Sequence, residues 1–135
     1  MPGLIRVARD RVVAAVLQGL RSVSGVAGAY LFGSILGPCR PDSDIDLGIV
    51  PRVGSDPFQL VGDVEAACRP LDGHFVHATI LEARRVLFSF EVASRGELLY
   101  CADRDVVTDF IEAVALRYQD VGPAHAQALL EILGR

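Results

Sequence analysis

A chain of 135 residues, 51% of them hydrophobic, is long enough to bury one real core and short for two ordinary domains. Its net charge is −4, and all thirteen basic residues are arginine. That balance argues against a protein that grips nucleic acid through a general electrostatic footprint. No run approaches the ~20 apolar residues of a membrane span. Arg6, Arg9, Asp10 and Arg11 interrupt the stretch where a signal peptide would be apolar. Cys39, Cys68 and Cys101 are odd in number, with no CxxC and no histidine at zinc spacing, which suits a reducing, cytoplasmic location.

Residues 5–22 set Ile5, Ala8, Val12, Val16 and Leu20 at helical spacing, with arginines on the other side, so an amphipathic first helix is expected. Ser24, Gly25 and Gly28 end it, and a strand over 26–32 delivers Gly33 and Ser34 into a breaker-rich loop. A second strand follows, running to residue 50 and carrying Asp44 and Asp46 on either side of Ile45. Because strand side chains alternate, the two aspartates share one face while Ile45 and Leu47 take the other.

A glycine- and proline-rich loop at 51–57 leads to a second helix at 57–69. Asp56 is its cap, Pro57 stands in its first turn, and Phe58, Val61, Val64 and Cys68 face inward. Pro70, Asp72 and Gly73 stop it. Residues 74–81, HFVHATIL, alternate and read as a third strand, with His74, Val76, Ala78 and Ile80 on one face and Phe75, His77, Thr79 and Leu81 on the other. A third helix is expected over 82–94, closed by Gly96, and a short strand over 97–101. Asp103 or Asp105 then caps a last helix, which Gly122 and Pro123 break before a final amphipathic turn. The alternation predicts one α/β domain over 1–135: a small mixed β-sheet flanked by helices in two or three layers.

The chemistry concentrates at residues 31–50. Two like charges on one face of an apolar strand repel each other and lose hydration. A hard divalent cation removes that problem, and Mg²⁺ is commonly held by one or two carboxylates together with substrate phosphates. Gly33 and Ser34 supply a complementary half, since a glycine lets the backbone approach a ligand and free N–H groups at a turn suit phosphate.

The pattern GSx9DxD between two apolar strands, here Gly33, Ser34, Asp44 and Asp46, resembles the signature of the superfamily that includes DNA polymerase beta and the aminoglycoside nucleotidyltransferases. Gly37 and the run Ser43 to Leu47 bring the chain close to its small stand-alone branch, the minimal nucleotidyltransferases (MNT). FSFEVASRGELLYC and ALRYQDVGP extend that likeness through the later elements. The resemblance implies a polymerase beta-like nucleotidyltransferase fold, with Gly33, Ser34 and Ser43 at the nucleotide and Asp44 and Asp46 as catalytic metal ligands. Mg²⁺ would be the cofactor and ATP the substrate. It also implies a partner: MNT proteins resemble the antitoxin half of HEPN/MNT pairs, in which AMP is placed on a tyrosine of the HEPN toxin. A mean hydropathy of +0.37 agrees with a surface partly covered in a hetero-oligomer.

One departure stands out. Active members carry a third carboxylate on the strand expected at 74–81, as metal ligand and general base. The alignment sets Val76 at that position, and this strand holds no acid. Asp72 reaching in from the turn, His77 acting as base, or a domain that has lost transfer and neutralises its partner by binding alone are the three readings. Histidine suits proton transfer because imidazole titrates near neutrality. Arg84 and Arg85 are further candidates for contact with a triphosphate or a partner, and Tyr30 is expected in the core.

Overall fold

The computed structural model describes the backbone of residues 2–33, 45–68 and 75–133, and side chains between 11 and 124 within those ranges. Ser34, Gly37, Cys39, Ser43, Asp44, Asp72 and His74 lie outside the described residues. The elements are α1 (Pro2–Arg21), β1 (Val26–Phe32), β2 (Ile45–Pro51), α2 (Pro57–Ala67), β3 (Val76–Ile80), α3 (Val86–Arg95), β4 (Glu97–Cys101) and α4 (Arg104–Leu133). The sheet order is β3-β2-β1-β4. β1 runs antiparallel to both β2 and β4, while β2 and β3 are parallel, so the sheet is mixed as expected. Of the two layer counts foreseen, three is the outcome, because helices cover both faces.

Strand alternation builds both halves of the core. Ala29, Leu31, Ile45, Leu47, Ile49 and Val76 bury one face of the sheet against Val12, Val16 and Leu20 of α1 and Leu60 and Val64 of α2. Tyr30, Val50 and Leu81 bury the other against Val92 of α3 and Val107, Phe110 and Val114 of α4. Each fully buried aliphatic side chain contributes about 1.5–3 kcal/mol of transfer free energy.

Local chemistry sets the boundaries. The Phe58 N–H donates to the Asp56 carboxylate at 3.0 Å, with Pro57 behind it, which confirms the expected start of α2. The phase of α2 differs from expectation. Leu60, Val64 and Cys68, four residues apart, take the inward stripe, Val61 is half-buried, and Phe58 is left 93% exposed. Asp103 is the cap of α4, accepting from the Val106 N–H at 3.2 Å, while Asp105 lies in the first turn.

Residues 82–85 form a turn rather than the expected first turn of α3. The Ser89 hydroxyl donates to the Glu82 carbonyl at 2.7 Å and the Arg84 guanidinium pairs with the Glu82 carboxylate at 2.8 Å, which ties this segment back on itself. Gly96 does cap α3, but with extended backbone (φ −75°, ψ 171°) rather than a left-handed one. A Cβ there would press on the carbonyls of Val92 and Leu31, so glycine lets the end of α3 close onto β1.

α4 runs through Pro123, where a break was expected. Proline's fixed φ is itself helical, but it costs one i→i−4 bond and sets its ring against the carbonyl four residues back. Gln119 and Pro123 are exposed, so water can satisfy the freed carbonyl. Phe90 of α3 stacks on Tyr118 of α4 at 3.6 Å between ring centroids, fixing the two helices to each other.

β3 lies at one margin of the sheet. Its Phe75 carbonyl accepts from Ile45 and its Leu81 N–H donates to Ile49, so the intervening Ala78 N–H points away from β2. That N–H donates to the Glu65 carboxylate of α2 at 3.3 Å.

Candidate active site

One corner of the sheet gathers the described site residues. β1 ends there, β2 and β3 both begin there, and α3 delivers Gly96 to the start of β4 beside it. In register, Phe32 of β1 stands opposite Asp46 of β2, and Asp46 opposite His77 of β3. Registered residues on adjacent strands present side chains to the same face, so these three form one row. It lies on the α3/α4 side, because Ile45, Leu47 and Val76 fill the opposite face. Asp46 is half-buried and His77 is exposed.

Gly33 closes the row. Its φ of +82° is in the left-handed region that favours glycine, and a Cβ built on it would collide with the Asp46 Oδ2. Only hydrogen at this position lets the backbone lie against the carboxylate. Of the expected residues, the structure therefore brings together Gly33, Asp46 and His77. Ser34, Ser43 and Asp44, expected beside them, fall outside the described residues.

Val76 requires a correction. It was aligned with the third acid, but it is 6% exposed and packs in the aliphatic core beside Ile45. A carboxylate there would be buried away from Asp46. The position in register with Asp46 is His77, one residue on, and a one-residue shift in a strand exchanges faces.

Asp46 fits a hard cation, since it offers oxygen against a backbone that only glycine can bring so close. His77 offers a nitrogen that Mg²⁺ takes poorly and a proton acceptor that a transfer reaction can use. Among the described residues no cluster of three or more aspartate, glutamate, histidine or cysteine side chains forms a metal site.

Arg84 and Arg85 are engaged elsewhere. Arg84 is held by Glu82, whose hydrogen bond raises the guanidinium pKa further, and Arg85 lies 4.6 Å above the Phe88 ring. Tyr30 is in the core, as expected, and burial, then the nearby Cys101, pushes its hydroxyl pKa up.

A trough lies beside this corner, with no distinct signal in the sequence. A cavity of about 550 Å³ runs between the end of β1 and α3, lined by Phe32, Gly33, Phe88, Glu91, Val92, Arg95 and Gly96. Positions 88, 91, 92 and 95 follow the helical i, i+3, i+4, i+7 spacing, a signal present in the sequence but indistinguishable there from a core stripe. A second cavity, about 620 Å³, lies between Ser22–Gly25 and α2, away from the row.

Residues 16–105 match the family model described as polymerase beta, nucleotidyltransferase. Among solved structures, a toxin-antitoxin complex with AMP-PNP contains a chain 20% identical, with a TM-score of 0.63 over 91% of this chain and 98% of that one. A tri-AMPylated Shewanella oneidensis HEPN toxin in complex with MNT antitoxin gives 18% identity and a TM-score of 0.60 over 94% and 99%. The toxin-antitoxin MntA-HepT gives 18% and 0.56 over 96% and 99%. At these identities the likeness is one of fold. No curated protein matches the chain significantly.

Proposed function

The chain belongs to the polymerase beta nucleotidyltransferase family, and on that premise we propose that it transfers AMP from ATP to a tyrosine hydroxyl of a HEPN toxin and so acts as its antitoxin. The observation that carries this reading is the Gly33–Asp46 contact, a backbone approach reserved for glycine facing a half-buried carboxylate. The solved complex with an AMPylated HEPN toxin supports the acceptor. The complex containing AMP-PNP supports the nucleotide.

In this reading Asp46 and Asp44 would hold Mg²⁺, which when bound would supply Lewis-acid polarisation and alignment of the phosphates. Gly33, Ser34 and Ser43 would bind the nucleotide, the first two through its polyphosphate. The acceptor oxygen attacks the α-phosphorus, the bond to the bridging oxygen breaks, and pyrophosphate leaves. His77, across from Asp46, takes the acceptor's proton. Positioning and charge stabilisation supply most of the rate, as in other phosphate transfers. The protein works in the cytoplasm as part of a hetero-oligomer.

The second reading, neutralisation by binding alone, is favoured by one observation: the residue in register with Asp46 is an imidazole, not a carboxylate. The test is incubation of the protein with Mg²⁺, labelled ATP and a HEPN partner, followed by intact mass of both chains. Added AMP on the partner supports transfer. A stable complex without added mass, with neutralisation surviving in the Asp44→Asn plus Asp46→Asn double variant, overturns it in favour of binding.

A further inference from the structure

β3 carries His77 with support from one side of the sheet only. The strand is five residues long and β2 is its sole neighbour in the sheet order. The Phe75 carbonyl and the Leu81 N–H bond to β2, and alternation turns the His77 N–H and carbonyl the same way. The peptide unit that joins His77 to Ala78 is therefore shared between two neighbours. Its carbonyl points to β2 and its N–H points outward, where the Glu65 carboxylate of α2 accepts it at 3.3 Å. A peptide unit held at both ends resists the crankshaft rotation that would tilt the residues on either side of it. One of those residues is His77.

Resting on the nucleotidyl-transfer reading, we propose that Glu65 is a positioning residue for the reaction: through the Ala78 N–H it holds His77 opposite Asp46, where the imidazole takes the acceptor's proton. Three features carry it. Glu65 sits on α2, across the sheet from the row of Phe32, Asp46 and His77, so it acts through the backbone and not on the reacting groups. Its neighbour Val64 is fully buried in the same cluster as Val76, with Ala78 and Ile80 packed against it, so the helix that carries Glu65 is the one on which β3 already rests. His77 itself is exposed, which leaves the strand backbone a large part in aiming it, while Glu65 and Ala78 are half-buried and their charge-assisted bond is partly shielded from water.

The test joins the kinetics of AMP transfer, at dilute concentration, to amide hydrogen exchange on the full chain alone. Glu65→Ala is expected to lower kcat by about 10-fold, the cost of a misplaced group rather than a lost one, with KM for ATP unchanged. Glu65→Gln keeps an acceptor for the N–H and is expected to restore most of that loss. In a His77→Gln background Glu65→Ala should cost nothing further, because a residue that acts through His77 has nothing left to place. The Ala78 amide should exchange faster in Glu65→Ala than in the wild type or in Glu65→Gln. Wild-type kcat in Glu65→Ala overturns the proposal. An equal loss with and without His77 does the same and makes Glu65 a general support of the fold, and so does an Ala78 amide whose exchange ignores Glu65. A wild-type chain that transfers no AMP overturns the transfer reading and this proposal with it, a result distinct from the others.

Discussion

The two faces of the sheet are made from the same strands and have opposite characters. Against α1 and α2 the strands present Ala29, Leu31, Ile45, Leu47 and Ile49, all essentially sealed from water. Against α3 and α4 they present Tyr30 and Val50 in the middle, and at the corner Phe32, Asp46 and His77, which stay partly open. Between Ile45 and Asp46 the environment changes from full burial to a site edge within one residue. Strand alternation thus divides the labour: one face is sealed along its length, while the other packs against α3 and α4 over most of its area and opens to carry charge only at the corner.

That division should be separable by mutation. The largest expected effect is on the sealed face, where Leu47→Ala should lower unfolding free energy by about 2–5 kcal/mol in urea denaturation. That is a large share of the ~5–15 kcal/mol typical of a domain. Asp46→Asn, one residue away, should leave the urea midpoint nearly unchanged while cutting AMP transfer by at least ~100-fold, measured as labelled partner. If both variants lost stability equally, the faces would not differ as described.

His77→Gln should lower transfer by about 100-fold, the usual scale of a lost general base, with an unaltered melting curve because the side chain is exposed. Full activity in that variant would hand proton removal to another group. Gly33→Ala should destabilise by about 1–3 kcal/mol through its positive φ and its collision with Asp46, and should impair transfer as well, since it touches both roles. The smallest effect is alkaline. Burial pushes the Cys68 thiol from 9.0 up to about 11, so the unfolded chain ionises first. Stability should hold below pH 9 and fall as pH rises toward 11. Cys68→Ala should flatten part of that decline in a melting-temperature series, leaving the contribution of Tyr30, which is also shifted upward.

The element order was legible because apolar periodicity and breakers agree along most of the chain. Val12, Val16 and Leu20 took the inward stripe that their spacing announced, and β1 and β4 kept their expected bounds. What escaped was whatever depended on partners distant in sequence. The phase of α2 turns on Leu60 finding the sheet, which Phe58, equally apolar, does not. The passage of α4 through Pro123 depends on the exposure of Gln119, a property of the folded surface. For the candidate site, spacing and strand alternation single out Gly33 and Asp46, which the structure sets against each other. Aligning letters sets Val76 in place of an acid and offers His77 as a base from the same strand, and the parallel register of β2 and β3 is what puts His77 opposite Asp46. The trough was invisible because its stripe on α3 looks like any amphipathic helix until β1 lies across from it.

The bond from the Ala78 N–H to Glu65 has a consequence for the molecule's company. A sheet margin with unsatisfied N–H groups is a template on which another chain can add a strand, and it is a common route to aggregation. Here a carboxylate from the neighbouring helix occupies the central donor of that margin and brings a negative charge with it. A second copy approaching β3 would have to displace the carboxylate and meet its own Glu65 in doing so. Self-pairing through this edge is thereby discouraged, and Glu65→Ala should show it first as turbidity at high concentration rather than as a change in melting temperature.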